Sequence, residues 1–126
     1  MSSVPTRCRS RTERSRSPSD LDRGLALARS GEYFEAHEAL EDAWRTADPA
    51  EKDFFQGLVH VVVAWYQAGR GNRPGCERQL EKAARRLGPF APGHQGVDVA
   101  AFLLQVEAAR KVVRAGSLDL PPLDVP

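Results

Sequence analysis

Apolar side chains recur at three- and four-residue spacing in five successive stretches of the chain. No stretch alternates apolar and polar positions between hairpin turns, so the pattern predicts helices throughout. The first opens at Ser19, an N-cap with Asp22 three residues on, carries Leu21, Leu25 and Ala28 on one face, and stops at Gly31. The second runs from Tyr33 to about Ala47. Asp48, Pro49 and Glu51 then supply a cap, a first-turn proline and a carboxylate three positions past the cap, which together start a third helix reaching about Ala68. Val61, Val62 and Val63 favour strands individually, but Phe54, Leu58, Val61, Trp65 and Ala68 keep the helical period over a span too long for a strand. Phe55, Val59, Val62 and Tyr66 widen that stripe around most of the circumference, so this helix is expected at the centre, covered on several sides. A fourth helix follows Asn72 and Pro74, buries Cys76, Leu80, Ala83 and Leu87, and stops at Gly88-Pro89. The fifth spans Asp98 to Ala115, with Val99, Phe102, Leu103, Val106, Ala109 and Val113 on one side and Gly116 as the stop.

The predicted fold is all-α: two helical hairpins and a C-terminal capping helix around one core, over residues 19 to 116. Residues 31 to 49 align on 71 to 89 with six matches, among them Gly31 with Gly71, Leu40 with Leu80 and Pro49 with Pro89. That weak period of 40 resembles helix-hairpin arrays of the tetratricopeptide type, and chance similarity of two amphipathic helices is the competing explanation. Residues 1 to 18 hold five Arg and five Ser with almost no apolar side chains, a composition that cannot offset the entropy of ordering, and are expected to be disordered. Residues 117 to 126, with three prolines, are expected to form an extended tail.

Charge and composition narrow the function classes. With 18 Lys and Arg against 17 Asp and Glu, the net charge of +1 gives no reason to expect nucleic acid on the folded domain. Residues 32 to 53 are acidic and 70 to 86 basic, which reads most simply as solvated helix faces and alternatively as a surface for a protein partner. The longest apolar run, Leu58 to Tyr66, is nine residues and includes His60, far short of the roughly 20 of a membrane span. Cys8 and Cys76 show no zinc or disulfide spacing, so a cytoplasmic protein is expected. Cys76 reads as a small buried hydrophobe, and His94, in a Pro/Gly loop, as solvated.

The chemistry concentrates on helix two. Phe34, His37, Glu38, Glu41 and Arg45 fall within about a 100° arc, beside an apolar stripe of Tyr33, Leu40 and Trp44. Helix three offers a facing polar line of Gln56, His60 and Gln67, with Gly57 and Ala64 small enough to permit close approach. An antiparallel hairpin about Asp48-Pro49 would bring Glu41 and Arg45 toward Gln56 and His37 toward His60. Three readings follow. A paired, buried network in which Glu41 accepts from His37 and Arg45 would pin the two helices in one register. A small-ligand pocket would use Phe34 and Trp44 as walls and His37, Glu41 and Arg45 for orientation. A metal site would take His37, His60 and Glu38 or Glu41, although H-E-x-x-E lacks the second histidine of the zincin helix. No nucleophile elbow or phosphate loop is present, no cofactor is specified, and an enzyme is the less expected outcome.

The run Gly31, Tyr33-Phe34-Glu35-Ala36-His37-Glu38, Glu41, Trp44-Arg45, followed by Phe55-Gln56-Gly57-Leu58, resembles the signature of the DUF309 family, small, mostly prokaryotic, all-helical proteins without an assigned biochemical function. The likeness covers about residues 20 to 88. It implies the helical fold and carries no reaction, and its motif maps onto Phe34, His37, Glu38, Glu41, Trp44, Arg45, Gln56 and Gly57. His60 lies outside it, which weakens the metal reading.

Overall fold

The computed structural model describes residues 19–126; the Arg/Ser-rich head expected to be disordered lies outside the described residues. Five α-helices follow one another: α1 Asp20–Arg29, α2 Tyr33–Arg45, α3 Lys52–Gly69, α4 Arg73–Leu87 and α5 Val99–Arg114. Local chemistry sets most of their ends. Ser19 Oγ accepts from the Asp22 N–H at 3.0 Å, Asn72 Oδ1 from Gly75 at 3.1 Å and Asp98 Oδ1 from Ala101 at 3.0 Å, each satisfying a first-turn donor that the helix itself leaves free. Gly31 and Gly71 take φ of +79° and +75°, and the two turns close alike: Glu32 N–H reaches the Leu27 carbonyl and Asn72 N–H the Gln67 carbonyl, both at 2.9 Å.

The helices form two hairpins, α1–α2 and α3–α4, with α5 packed on α4 as the cap. The extensive contacts join neighbours in sequence, that of α3 on α4 being the largest. As its all-round apolar character requires, α3 is the central helix: Phe54, Phe55, Leu58, Val59, Val61, Val62, Ala64, Trp65 and Ala68 are all buried. Each hairpin is closed by a leucine seated on a glycine. A Cβ on Gly24 would fall 2.7 Å from Leu40 Cγ, and one on Gly57 would fall 2.6 Å from Leu87 Cγ. The bare backbone is what lets the paired helices approach.

Three features differ from the sequence reading. The second helix ends at Arg45 rather than Ala47, because Lys52 folds back and donates from Nζ to the carbonyls of Trp44 (2.7 Å) and Arg45 (3.3 Å). Asp48 does not cap α3; a 3₁₀ turn, Pro49–Glu51, intervenes. Glu51 does not return to cap the turn, since its Oε1 lies 2.6 Å from both His94 Nε2 and Gln95 Nε2, and these bonds hold its carboxyl below the usual carboxylate range. His94 is therefore not solvated: it is half-buried on Glu51, with its ring 4.7 Å from Phe54 and 4.8 Å from Phe90. The segment beyond Gly116 is extended, as its prolines require, and Leu123 and Val125 from it join the core.

Candidate functional site

Helix α2 turns Ala36, Ala39, Leu40 and Ala43 inward. Three of these are alanine, so α2 lies close on its neighbours, and the polar stripe one residue further round falls at the flank instead of the interface. The ladder predicted there forms, but in water. His37 Nε2 is 3.1 Å from Glu41 Oε2, Arg45 Nη2 is 3.6 Å from Glu41 Oε1, and Arg45 Nη1 is 2.6 Å from Asp42 Oδ1. The Glu41 side chain is 39% exposed and that of Arg45 58%. The buried network expected between helices two and three is thus replaced by a row of paired side chains along the α2 flank, of which the Arg45 ion pairs are exposed and each worth at most about 1 kcal/mol. Glu38 is exposed, Gln56 half-buried, and Gly57 buried under Leu87. Trp44, expected on the apolar stripe, is 37% exposed, with Lys52 Nζ 4.9 Å above its ring.

His37 and His60 do not meet. His60 is buried and faces α4, where its Nδ1 lies 2.7 Å from Gln79 Oε1. That bond places the proton on Nδ1 and leaves Nε2 without a partner. Desolvation pulls the His60 pKa down, with Arg86, Lys82 and Arg85 adding to the effect and the Gln79 bond opposing it. Side chains lean toward the N-terminus of their own helix, so in an antiparallel pair His37 leans away from the connecting turn while residues of α3 lean toward it. His37 consequently meets residues one turn or more beyond His60. Of the metal candidates, His37 and Glu41 pair within α2 while His60 turns to α4 and Glu38 is exposed, and among the described residues no three His, Cys, Asp or Glu side chains gather where they could hold a metal ion.

What the α2–α3 flank does form is an aromatic cleft of about 200 Å³, lined by Phe34, His37, Val63, Tyr66 and Gln67. The Phe34 ring lies 5.5 Å from that of Tyr66 and 5.6 Å from His37, all three tilted. Arg70 fixes Tyr66 from behind, its Nη1 donating to the phenol oxygen at 3.0 Å. Gln67 Oε1 accepts from Asn72 Nδ2 at 3.0 Å, which orients the amide. Sequence reasoning placed Tyr66 in the core and omitted Val63 from the site. The signal that finds them is the lean of side chains along each helix, applied before residues are paired across the turn.

Residues 21–79 match the model of a family described as "Domain of unknown function (DUF309)". A curated relative, "Uncharacterized protein YpuF" of Bacillus subtilis (strain 168), is 35% identical over 57 residues, 44% of this chain. The match spans 33% of that relative's own length. No solved structure matches the chain. Among the described residues, no helix is long and apolar enough to cross a membrane. The stretch that matches the DUF309 family model, residues 21–79, carries α2, α3 and the aromatic cleft between them.

Proposed function

We propose that the domain is a binding module rather than an enzyme, and that its α2–α3 cleft takes a ring-sized aromatic or branched apolar group of a small ligand. The observation that carries this reading is Phe34, a large aromatic left 44% exposed and tilted against Tyr66 instead of turned into the core. An apolar ring in water that fills no packing need is a feature of a contact surface. The volume suits the task, since a cavity of about 150 Å³ already admits benzene. His37 and Gln67 at the cleft supply polar groups that would set a ligand's orientation. Phe34, Glu38, Trp44 and Arg45, through which the chain resembles its family, lie exposed on the same helix, where packing makes little demand on residue type.

The test is an amide NMR titration with indole, phenol and isobutanol as probes. Saturable shifts confined to residues around Phe34, His37, Val63, Tyr66 and Gln67, abolished by Phe34→Ala without loss of thermal stability, are expected. Shifts spread over the surface, or none, refute the reading.

A further inference from the structure

After α5 the chain turns at Gly116, where φ is +99°, and runs back across the stack as an extended segment. Three side chains from three helices read its main chain. Trp65 Nε1 on α3 donates to the Pro121 carbonyl at 2.8 Å, and the Tyr33 hydroxyl on α2 accepts from the Leu123 N–H at 3.0 Å. The Gln105 amide on α5 donates to the Asp124 carbonyl at 2.6 Å and accepts from the Asp124 N–H at 2.8 Å. One side chain thereby satisfies both main-chain polar groups of a single residue, as the opposite residue of a neighbouring β-strand would. Leu123 and Val125, two positions apart, are 4% and 7% exposed, while Asp124 between them faces water.

This is the anatomy of a peptide site. Bonds to main-chain groups are indifferent to which chain supplies the peptide, and the apolar pair at alternate positions imposes the sequence requirement. Pro121 and Pro122 hold the segment extended, which reduces the entropy lost on docking. The stretch linking it to α5 adds bonds of its own that are local, Asp119 N–H to Ser117 Oγ and Leu120 N–H to the Leu118 carbonyl, so the segment can leave without unwinding the helix. We propose that this groove is a recognition site for extended Pro-Pro-apolar-x-apolar segments of a partner protein, held closed by residues 121–125 acting as a competing internal ligand. The site stands apart from the aromatic cleft and does not rest on that reading.

The experiment uses the full chain carrying Leu123→Asp and Val125→Asp, which expels the internal segment, and a fluorescein-labelled peptide of residues 117–126 followed by anisotropy. Saturable binding to this opened variant is expected, with the unmodified chain at least about tenfold weaker because its tethered segment competes. Gln105→Ala in the opened variant, or a peptide with aspartate at both apolar positions, is expected to lose binding by a similar factor. Equal binding by both proteins, or none by an opened variant with a native far-UV spectrum, overturns the proposal. Should the opened variant fail to fold, hydrogen exchange on the unmodified chain decides. Faster exchange of the Leu123 and Asp124 amides in excess unlabelled peptide supports displacement, and unchanged exchange overturns it. A doubled mass in light scattering, with the segments exchanged between copies, assigns the groove to self-association and equally overturns it.

Discussion

Gly57→Ala tests the close approach of α3 and α4, because the added methyl would lie 2.6 Å from Leu87 Cγ and 2.7 Å from its Cδ2. Carbon atoms in contact settle at about 3.5 Å or more, so roughly 1 Å must be found. Leu87 has little freedom to provide it. It is fully buried at the end of α4, and the atom in conflict is Cγ, one bond from the backbone-fixed Cβ, so relief requires a new χ1 or a shift of α4. Such overpacking costs up to about 3 kcal/mol, while alanine gains about 1 kcal/mol over glycine in a helix interior, leaving a net loss of roughly 2 kcal/mol. For a domain of this size that lowers the melting temperature by roughly 8–16 °C. Urea melts of three proteins make the measurement specific. Gly69→Ala, at a helical position with nothing within 4 Å, is expected to be neutral or slightly stabilising. In the double variant Gly57→Ala with Leu87→Ala, the loss is expected to fall short of the sum of the single losses, because the shortened side chain makes room for the methyl. A Gly57→Ala protein as stable as the parent, or strictly additive losses, would mean that Leu87 does not rest on the Gly57 backbone.

Other expectations concern individual groups. Glu41→Ala is expected to change stability by less than about 1 kcal/mol in chemical melts, because the carboxylate and its partner Arg45 are exposed and water replaces it; a loss of several kcal/mol would return that carboxylate to the interior. Acidification is expected to weaken the fold through His60. Its folded pKa lies below 6.5, so the stability it contributes is complete above about pH 6.5 and is lost as pH falls toward the lowered value, where the unfolded chain takes up a proton that the folded chain refuses. Urea melts about 1 unit above and about 1 unit below pH 6.5 read this effect, and His60→Gln is expected to flatten the slope between them; an unchanged slope refutes it. The Cys76 thiol, fully buried and pushed up to about 11 by desolvation, is expected to resist a thiol reagent at neutral pH until urea is added, and prompt labelling of the native chain would contradict its burial.

The parts of this structure legible in the sequence are those decided within a few residues. Ser19 caps α1 because the donor lies three positions away, and Gly31 ends it because an αL residue is needed at that point. The central place of α3 was legible because its apolar surface leaves no side for water. What escaped depends on distant parts of the chain. Glu51 has the spacing of a capping residue, but its strongest partners, His94 and Gln95, lie 43 and 44 positions away. Leu123 and Val125 sit among prolines with no helical period, and nothing local tells that Tyr33, Trp65 and Gln105 converge to receive that strand-like stretch. Phe34 and His37 were read together on one face of α2, but they meet Val63, Tyr66 and Gln67 of α3, beyond the turn that simple pairing across Asp48-Pro49 selects. Composition and period specify which face is polar; they do not specify the direction in which side chains lean across an antiparallel turn.

The bond from Leu123 to Tyr33 joins positions 90 residues apart in a stack whose broad contacts otherwise run from each helix to the next. A linear stack of that kind frays from its ends, each hairpin melting nearly on its own terms. By carrying the far end of the chain back to the start of α2 and to α3, the segment works as a clasp: loosening either end withdraws support from the other, and melting becomes a single cooperative event. Opening the clasp should therefore cost less in enthalpy than in cooperativity, broadening the thermal transition before the helices themselves are lost.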